Sequence, residues 1–234
     1  MMKSIYAGGL TVLFALVATV HVSAQAIQVV TVNTSDTAGY LEWVQEAAPV
    51  FIGASSGPGA VGACVPASGA EQEGDIYWFA AAANAEALLA LDPSTPAIAR
   101  EVAKAASIRT VRTRDVMTTA KPSDRRLETG NRYGQWAVFV ETSNPGSYVS
   151  GMRAMEAAYH EHGFQDVNIT VFSIRTGVRA GKLMTSVTGA TMDRVGAAVD
   201  ALSEPWAVAQ LSQIEGSRTI VHATLSTCQV YAAR

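Results

Sequence analysis

The fold is decided by residues 135–163, QWAVFVETSNPGSYVSGMRAMEAAYHEHG, which read as a strand, a turn and a helix. A fainter copy of this pattern lies near the start of the chain at residues 28–53, QVVTVNTSDTAGYLEWVQEAAPVFIG. The later helix is followed by Gly163, the residue type that most often ends a helix. The repeated pattern predicts that the chain contains two versions of one structural unit.

The two halves of the chain keep corresponding residues at similar places. Tyr40 in the first half matches Tyr148 in the second, and Gly74 before one strand matches Gly181 before another. Each half reads as strand-helix-strand-strand-helix-strand, which is the ferredoxin-like arrangement. We therefore predict an α+β protein made of two fused ferredoxin-like βαββαβ repeats.

A polar segment divides the two predicted repeats. Residues 118–134 are charged and almost free of aliphatic side chains, as is typical of a linker. The first repeat then covers residues 27–117 and the second covers residues 135–234. Within the linker, we interpret Arg125 and Arg126 as a solvated surface rather than as a binding site.

The predicted strands indicate how the two repeats pack together. Residues 76–80, IYWFA, and residues 136–140, WAVFV, are apolar at every position rather than at alternate ones. A sheet with one face in water would alternate apolar and polar residues. We therefore expect the two sheets to face each other with helices outside, which gives an intramolecular, pseudo-dimeric α+β barrel.

The chain resembles the dimeric α+β barrel superfamily. The resemblance rests on the βαββαβ order, its duplication, and Glu204-Pro205-Trp206 just after a predicted helix. The superfamily includes antibiotic-biosynthesis-type monooxygenases, EthD-like proteins and the chlorite dismutase and dye-decolourising peroxidase group. The resemblance implies the barrel fold and allows monooxygenase or haem-dependent chemistry, but no single family's catalytic motif matches, and a fold alone does not determine function.

The first residues are typical of a signal peptide. Lys3 is followed by an apolar run over residues 7–20, which is shorter than the roughly 20 residues of a membrane span. Small residues then predict cleavage after Ala24 or after Ala26. We take residues 1–24 as the signal peptide and expect the protein to be exported, to the periplasm or the medium.

The composition limits which classes of partner the protein can have. The net charge is −3 and the sequence has no basic block, which argues against nucleic acid as a partner. With 49% hydrophobic residues the chain can bury a sizeable core. No later apolar run is long enough to span a membrane after signal cleavage.

The chain contains two cysteines, Cys64 and Cys228. Export would permit a disulfide between them, although their separation in sequence leaves their proximity open. The other interpretation is that both are small buried side chains. No CxxC pair is present, so thioredoxin-like and zinc-ribbon sites are excluded.

Three histidines are the candidate catalytic residues. His160 and His162 lie near the end of the predicted helix, and His222 lies within the last predicted strand. On a helix, residues two apart point in different directions, so the first two are a poor pair of metal ligands, and we predict no metal site. Each histidine could instead be satisfied structurally, or one could serve as a haem ligand or proton-transfer group.

Four aromatic residues are candidates for an apolar binding pocket, although aromatic side chains more often pack in the core: Tyr77, Trp78, Tyr159 and Trp206. No GxSxG serine-nucleophile motif and no phosphate-binding glycine loop is present.

The charged residues near two predicted turns give no catalytic signal. Arg175 and Arg179 lie around the turn of a predicted hairpin, where we expect them to be exposed. Glu71, Glu73 and Asp75 flank the corresponding turn of the first repeat. No pair of carboxylates has a spacing that implies acid-base chemistry.

Three functions remain open from the sequence. The first is an exported protein that holds a small, largely apolar ligand inside the barrel. The second is a monooxygenase-like or haem-dependent enzyme, with haem as the cofactor in the latter case. The third is a non-catalytic structural or interaction protein. The fused repeats predict a monomeric pseudo-dimer or a further homodimer.

Overall fold

A computed structural model of the chain describes residues 25–53 and 59–234, so the predicted signal peptide lies outside the described residues. The described part contains eight strands and six helices. The strands are β1 (Ala26–Asn33), β2 (Ala60–Ser68), β3 (Asp75–Ala82), β4 (Thr110–Lys121), β5 (Arg132–Thr142), β6 (Asn168–Ile174), β7 (Leu183–Gly189) and β8 (Arg218–Ala233). The helices are α1 (Thr37–Gly53), α2 (Ala85–Leu89), α3 (Pro96–Lys104), α4 (Pro145–Glu161), α5 (Met192–Asp200) and α6 (Pro205–Glu215).

The strands form one closed barrel in the order β1-β3-β2-β8-β5-β7-β6-β4. Neighbouring strands are antiparallel all the way round. Two of these pairings, β2 with β8 and β4 with β6, join the first half of the chain to the second, and we call them the two seams. Closure leaves no unpaired edge among these strands. The predicted α+β barrel is confirmed.

Both faces of the strands are buried, as the apolar runs predicted. On β3, Phe79 and Ala81 face the barrel interior, whereas Trp78 and Ala80 face the helices. Side chains of a strand alternate between its two faces, so one apolar run supplies both layers. The first-half helices cover one outer face and the second-half helices cover the other.

Helix α1 continues past Pro49 to Gly53, although a proline inside a helix commonly ends or kinks it. Proline lacks the N–H of the helix ladder, so the last turn must be stabilised by packing. Phe51 in that turn is buried, with its ring centroid 5.4 Å from that of Trp78 and 6.3 Å from that of Trp43. These contacts compensate for the missing hydrogen bond.

The connection between the two halves is shorter than the predicted linker, because β4 extends to Lys121 and β5 begins at Arg132. Lys121 is buried, and its Nζ lies 2.5 Å from a carboxylate oxygen of Glu156 and 2.5 Å from the carbonyl oxygen of Ile169. This ion pair fixes the end of β4 against α4. The remaining connection is residues 122–131.

Strand β8 is the longest strand and closes the first seam. Its residues 225–233 pair with β2, and Cys64 lies directly opposite Cys228 in this pairing. The two cysteines form a disulfide, which links strands from the two halves of the chain. One seam of the barrel is therefore covalent.

Helix α4 buries one side against the barrel. Asn144 caps its first turn by accepting a hydrogen bond from the Ser147 N–H at 3.1 Å. Tyr148, Met152 and Tyr159 on the buried side are each at most 3% exposed. In the part of the chain that the structure describes, no helix is long and apolar enough to cross a membrane.

Candidate functional site

The barrel encloses a cavity of about 110 Å³. Its wall is largely apolar, and strands of both halves contribute to it. The main apolar side chains of the wall are Val29, Phe79, Met117, Phe139, Phe172 and Met184. A cavity in this size range can hold a ligand of about one aromatic ring, since an engineered cavity of about 150 Å³ binds benzene.

A network of charged residues closes one end of the cavity, and we call it the acidic end: Glu71, Asp75, Arg112, Asp115 and Arg179. Arg179 donates to an Asp115 carboxylate oxygen at 3.0 Å and also pairs with Glu71. Arg112 donates to Glu71 at 3.2 Å and pairs with Asp75. Asp115 and Arg179 line the cavity. With three carboxylates and two guanidinium groups, the network is net negative when all five groups are ionised.

The environment shifts the pKa values of two carboxyl groups in opposite directions. Burial raises the pKa of Asp115, although Arg179 acts against it. For Glu71, burial is outweighed by the interactions with Arg179 and, to a smaller extent, with His222 and Arg112, so that its pKa lies below the ordinary value. Asp115 is therefore the better proton acceptor of the two at neutral pH.

Three polar atoms around this end have no hydrogen-bond partner among the described residues. They are the hydroxyl of Tyr77, one carboxylate oxygen of Asp115 (Oδ1) and one ring nitrogen of His222 (Nε2). Burial, followed by the charges of Asp75 and Glu71, raises the pKa of Tyr77 to about 12, so the hydroxyl keeps its proton at neutral pH. Unpaired buried polar atoms are costly, which makes them candidates for ligand contacts.

The turn between β6 and β7 packs closely against Asp115. Gly177 in this turn has a φ of +84°, and a Cβ atom there would lie 1.9 Å from Asp115 Oδ1. Only glycine combines this backbone conformation with this close approach. The turn therefore holds both Arg179 and the backbone of Gly177 against the same carboxylate.

The opposite end of the cavity is covered by residues 122–131, and we call it the linker end. Side chains of this segment alternate: Ser123 and Arg125 line the cavity, whereas Arg126 is exposed. The Arg125 guanidinium lies 4.0 Å from the ring centroid of Tyr133, which is buried on β5. The sequence interpretation of Arg125 as a solvated residue is therefore corrected, while that of Arg126 agrees with the structure.

The candidate histidines occupy three different environments. His160 contacts the carbonyl oxygen of Val167 at 2.8 Å. His162 is exposed at the C-terminus of α4, where it contacts the carbonyl oxygen of Ala158 at 2.9 Å and stacks on Trp206 with ring centroids 4.5 Å apart. Both lie on α4, outside the barrel.

Of the three candidate histidines, His222 alone lies on a strand of the barrel. It lies opposite Phe139 in the pairing of β8 with β5, with ring centroids 5.8 Å apart, and it contributes to the lowered pKa of Glu71. It is not among the residues that line the cavity itself. The structure thus brings His222 to the acidic end and separates it from His160 and His162.

Of the four candidate aromatics, Tyr77 lines the cavity, Trp78 faces the helices, and Tyr159 and Trp206 lie on helices α4 and α6. Trp78 follows Tyr77 on β3, so its side chain points to the opposite face of the sheet. Tyr159 donates to the Ala198 carbonyl oxygen at 2.7 Å and has its ring edge-on to that of Trp206. These three side chains pack helices against the barrel.

The cavity does not fit haem. Its volume of about 110 Å³ is well below the roughly 300–1,000 Å³ of pockets for drug-sized ligands, and haem is at least of that size. His222, the histidine beside the cavity, has its ring against Phe139. Among the described residues, no group of three or more His, Cys, Asp or Glu side chains is placed to hold a metal ion.

The sequence reasoning missed the charged residues of the cavity. Arg179 was expected to be exposed in a turn, yet it is 8% exposed and pairs with Glu71, which is 108 residues away in sequence. Asp115 was not singled out, although alternation on β4 places it on the same face as Met117. A lone carboxylate on the apolar face of a strand was a signal that could have identified it.

No protein-family profile matches the chain, and no curated protein matches its sequence. Among solved structures, a proposed monooxygenase from Lactobacillus acidophilus is similar with a TM-score of 0.64 and 9% identity, over 89% of this chain and 95% of that one. The chain shares the fold of this protein.

Two further solved structures have the same architecture. An anthrone oxidase-like protein matches with a TM-score of 0.57 and 15% identity, over 92% of this chain and 95% of that one. A dye-decolourising peroxidase from Bacteroides thetaiotaomicron matches with a TM-score of 0.57 and 8% identity, over 89% of this chain and 94% of that one. At such identities the likeness concerns the fold alone.

Proposed function

We propose that the protein is a monooxygenase-like oxidase that binds a small, largely apolar phenol in its barrel cavity. The observation that carries this proposal is a one-ring-sized apolar cavity with Asp115 and Tyr77 at one end, both with unpaired polar atoms. The names of two structural neighbours, a proposed monooxygenase and an anthrone oxidase-like protein, favour oxidation over simple binding.

The acidic end suits a hydroxyl group of the ligand. A hydroxyl can donate to the Asp115 carboxylate and accept from the Tyr77 hydroxyl, which satisfies two buried atoms that otherwise lack partners. The net negative charge of the network disfavours an anion as the incoming group. The raised pKa of Asp115 makes this carboxylate a stronger base than an exposed aspartate.

The chemistry requires dioxygen as the oxidant. Transfer of the hydroxyl proton to Asp115 gives a phenolate, which is the electron-rich form that reacts with oxygen. One phenol and one O₂ give one quinone and one H₂O: a ring C–H bond and the phenol O–H bond break, a second C=O forms, and the other oxygen atom leaves as water. The four electrons that O₂ accepts all come from the phenol, so no further reductant is needed.

The direct test measures oxygen consumption and quinone absorbance for the purified full chain with a panel of monocyclic phenols. We expect turnover of at least one phenol with one O₂ consumed per quinone. Asp115→Asn should lower the rate by about 100-fold or more, because general-base catalysis contributes on this scale. A matched control is Glu141→Gln, because Glu141 is a carboxylate paired with Lys182 on the exposed surface.

Two other outcomes identify the remaining candidates. Phenol binding without oxygen consumption would contradict the oxidase proposal and leave a small-molecule-binding protein, which the apolar cavity alone supports. Absence of both binding and turnover for phenols, benzene and short fatty acids would favour the non-catalytic structural protein.

We also propose that the protein is exported. The disulfide between Cys64 and Cys228 supports this proposal, because disulfides persist mainly in oxidising compartments. Of the two predicted cleavage positions, the one after Ala24 is favoured, since Ala26 is fully buried as the first residue of β1. Mass spectrometry of the mature protein from the exported fraction tests both points.

The same tandem architecture supports a proposed duplication and a monomeric state. The barrel order contains β4-β1-β3-β2 in the first half and β8-β5-β7-β6 in the second, which is one arrangement used twice. Each half therefore takes the place of a subunit in a two-chain barrel. We propose two ferredoxin-like repeats in a monomeric pseudo-dimer, for which a dimer by light scattering would be the contrary result.

A further inference from the structure

Arg125 is a partly buried cation that has no acidic partner in the described part of the chain. It lines the cavity at the linker end, and its Nε atom is buried without a hydrogen bond. Its guanidinium carbon lies over the Tyr133 ring, 4.0 Å from the ring centroid. By contrast, Arg179 at the other end of the same cavity contacts two carboxylates.

An unpaired guanidinium in a cavity lowers the stability of the fold unless another group compensates its charge. Removing a guanidinium from water without a counter-charge is unfavourable, and buried charges in proteins are normally paired. Burial lowers the pKa of Arg125, and the smaller effect of Tyr133 opposes it. The lowered pKa agrees with the absence of a carboxylate partner among the described residues. The cation–π contact with Tyr133 compensates only in part. A charge left unpaired inside a cavity indicates that the ligand supplies its partner.

The neighbouring polar groups can also donate hydrogen bonds to an anion. Ser123 accepts a hydrogen bond from the Thr170 hydroxyl at 2.8 Å, so its own proton remains free to donate. Ser186 accepts from the Gln135 side-chain amide at 2.7 Å and likewise keeps its proton. All four of these side chains line the cavity. The linker end therefore offers a cation and two hydroxyl donors.

From these observations we infer that Arg125 binds a carboxylate of the ligand. This inference rests on the proposed function and names the substrate class more closely: a small aromatic acid with its carboxylate at the linker end and its hydroxyl at the acidic end. Along β1 the cavity runs from Thr31 to Ile27, a distance of roughly 13 Å for four residues of a strand. A single ring with groups at opposite ends fits within this length.

The two ends of the cavity then favour ligand groups of different charge. The acidic end carries more negative than positive groups and suits a neutral donor, whereas the linker end carries an unpaired positive group and suits an anion. This difference also sets the orientation of the ligand. A neutral phenol would fill the cavity but leave Arg125 without a counter-charge.

The test is calorimetric titration of the full chain with 4-hydroxybenzoate and with its uncharged counterpart 4-hydroxybenzamide. We expect the acid to bind about 10- to 100-fold more tightly, the range expected for a hydrogen-bonded charge pair. Arg125→Gln should remove this preference, because it should lower the affinity for the acid and leave the affinity for the amide unchanged. Arg125→Lys should keep part of it, and Arg126→Gln, which changes the exposed neighbour, should keep all of it.

The outcomes separate this inference from the proposed function. Equal affinities for acid and amide, or a preference that survives in Arg125→Gln, would overturn the role of Arg125 while phenol oxidation could still stand. A preference for the acid that depends on Arg125 but occurs without oxygen consumption would support the inference and overturn the oxidase. If neither compound binds, the cavity is not a site for aromatic acids. A thermal unfolding curve for each variant checks that it is folded.

Discussion

The two ends of the barrel cavity treat charge in opposite ways. At the acidic end, Asp115 is 1% exposed and Arg179 is 8% exposed, and each has an oppositely charged partner. At the linker end, Arg125 has an aromatic ring for a neighbour and no carboxylate among the described residues. The comparison teaches that the charges of the first end pair with each other within the fold, whereas the charge of the second end lacks a partner until a ligand supplies one.

The largest expected effect comes from breaking the paired end. Arg179→Met leaves Asp115 and Glu71 without their shared cation, and removing one partner of a buried ion pair costs about 3–5 kcal/mol. The free energy of unfolding, measured by urea denaturation, should fall by this amount. Arg175→Met is the matched control, since Arg175 lies in the same turn region but is exposed and donates to the Thr118 hydroxyl.

The contrary result would be a loss from Arg179→Met no larger than that from Arg175→Met. It would mean that the acidic end is solvated and contributes little to stability, as most exposed ion pairs do. The contrast between the two ends would then no longer hold.

The two seams of the barrel differ in how they are linked. The seam of β2 with β8 carries the disulfide between Cys64 and Cys228, which are 164 residues apart, whereas the seam of β4 with β6 is held by strand pairing. Replacing both cysteines by alanine should lower the free energy of unfolding by about 2–5 kcal/mol. The check is urea denaturation of this variant beside the original protein with and without reductant. If reductant left the free energy of unfolding of the original protein unchanged, the disulfide would contribute nothing to stability.

The sequence was most informative where one local pattern had one structural outcome. Apolar runs in β3 and β5 predicted strands buried on both faces, and the repeated element order predicted the α+β barrel. At Pro49 a local rule about proline competes with the packing of Phe51 on Trp78 of β3, so the sequence near Pro49 alone does not determine where α1 ends.

The charged residues of the cavity could not be predicted in the same way. The partners of Arg179 come from other elements, and Glu71 lies 108 residues away in sequence. Arg125 lies in a segment whose composition is typical of solvated linkers, and its environment follows from how that segment crosses the end of the barrel. Chemical type was visible in the sequence, but burial and pairing were set by the closure of the barrel.

An intermediate effect is expected from Tyr133, the ring beside Arg125. Burial raises the pKa of Tyr133 to about 12, although Arg125 acts against it. The folded protein therefore keeps this proton above pH 10, where the unfolded chain loses it, so stability is full below about pH 10 and falls as the pH rises towards 12. Tyr133→Phe should remove this loss, which amounts to about 1 kcal/mol at pH 11. Urea denaturation at pH 9 and pH 11 measures the difference, and an identical pH dependence in both proteins would contradict it.

The smallest expected effect belongs to the unpaired end. Arg125→Met should lower the free energy of unfolding by no more than about 0.5 kcal/mol, because it removes a cation that has no ionic partner to lose and leaves an apolar stem that can still cover Tyr133. The matched variant Arg126→Met, at an exposed position, should be equally mild. Urea denaturation of both variants without ligand makes the comparison. Since Arg179→Met removes the same charge from the same cavity, a large loss from Arg125→Met would mean that Arg125 also holds the fold together, and the two ends would then differ in geometry but not in role.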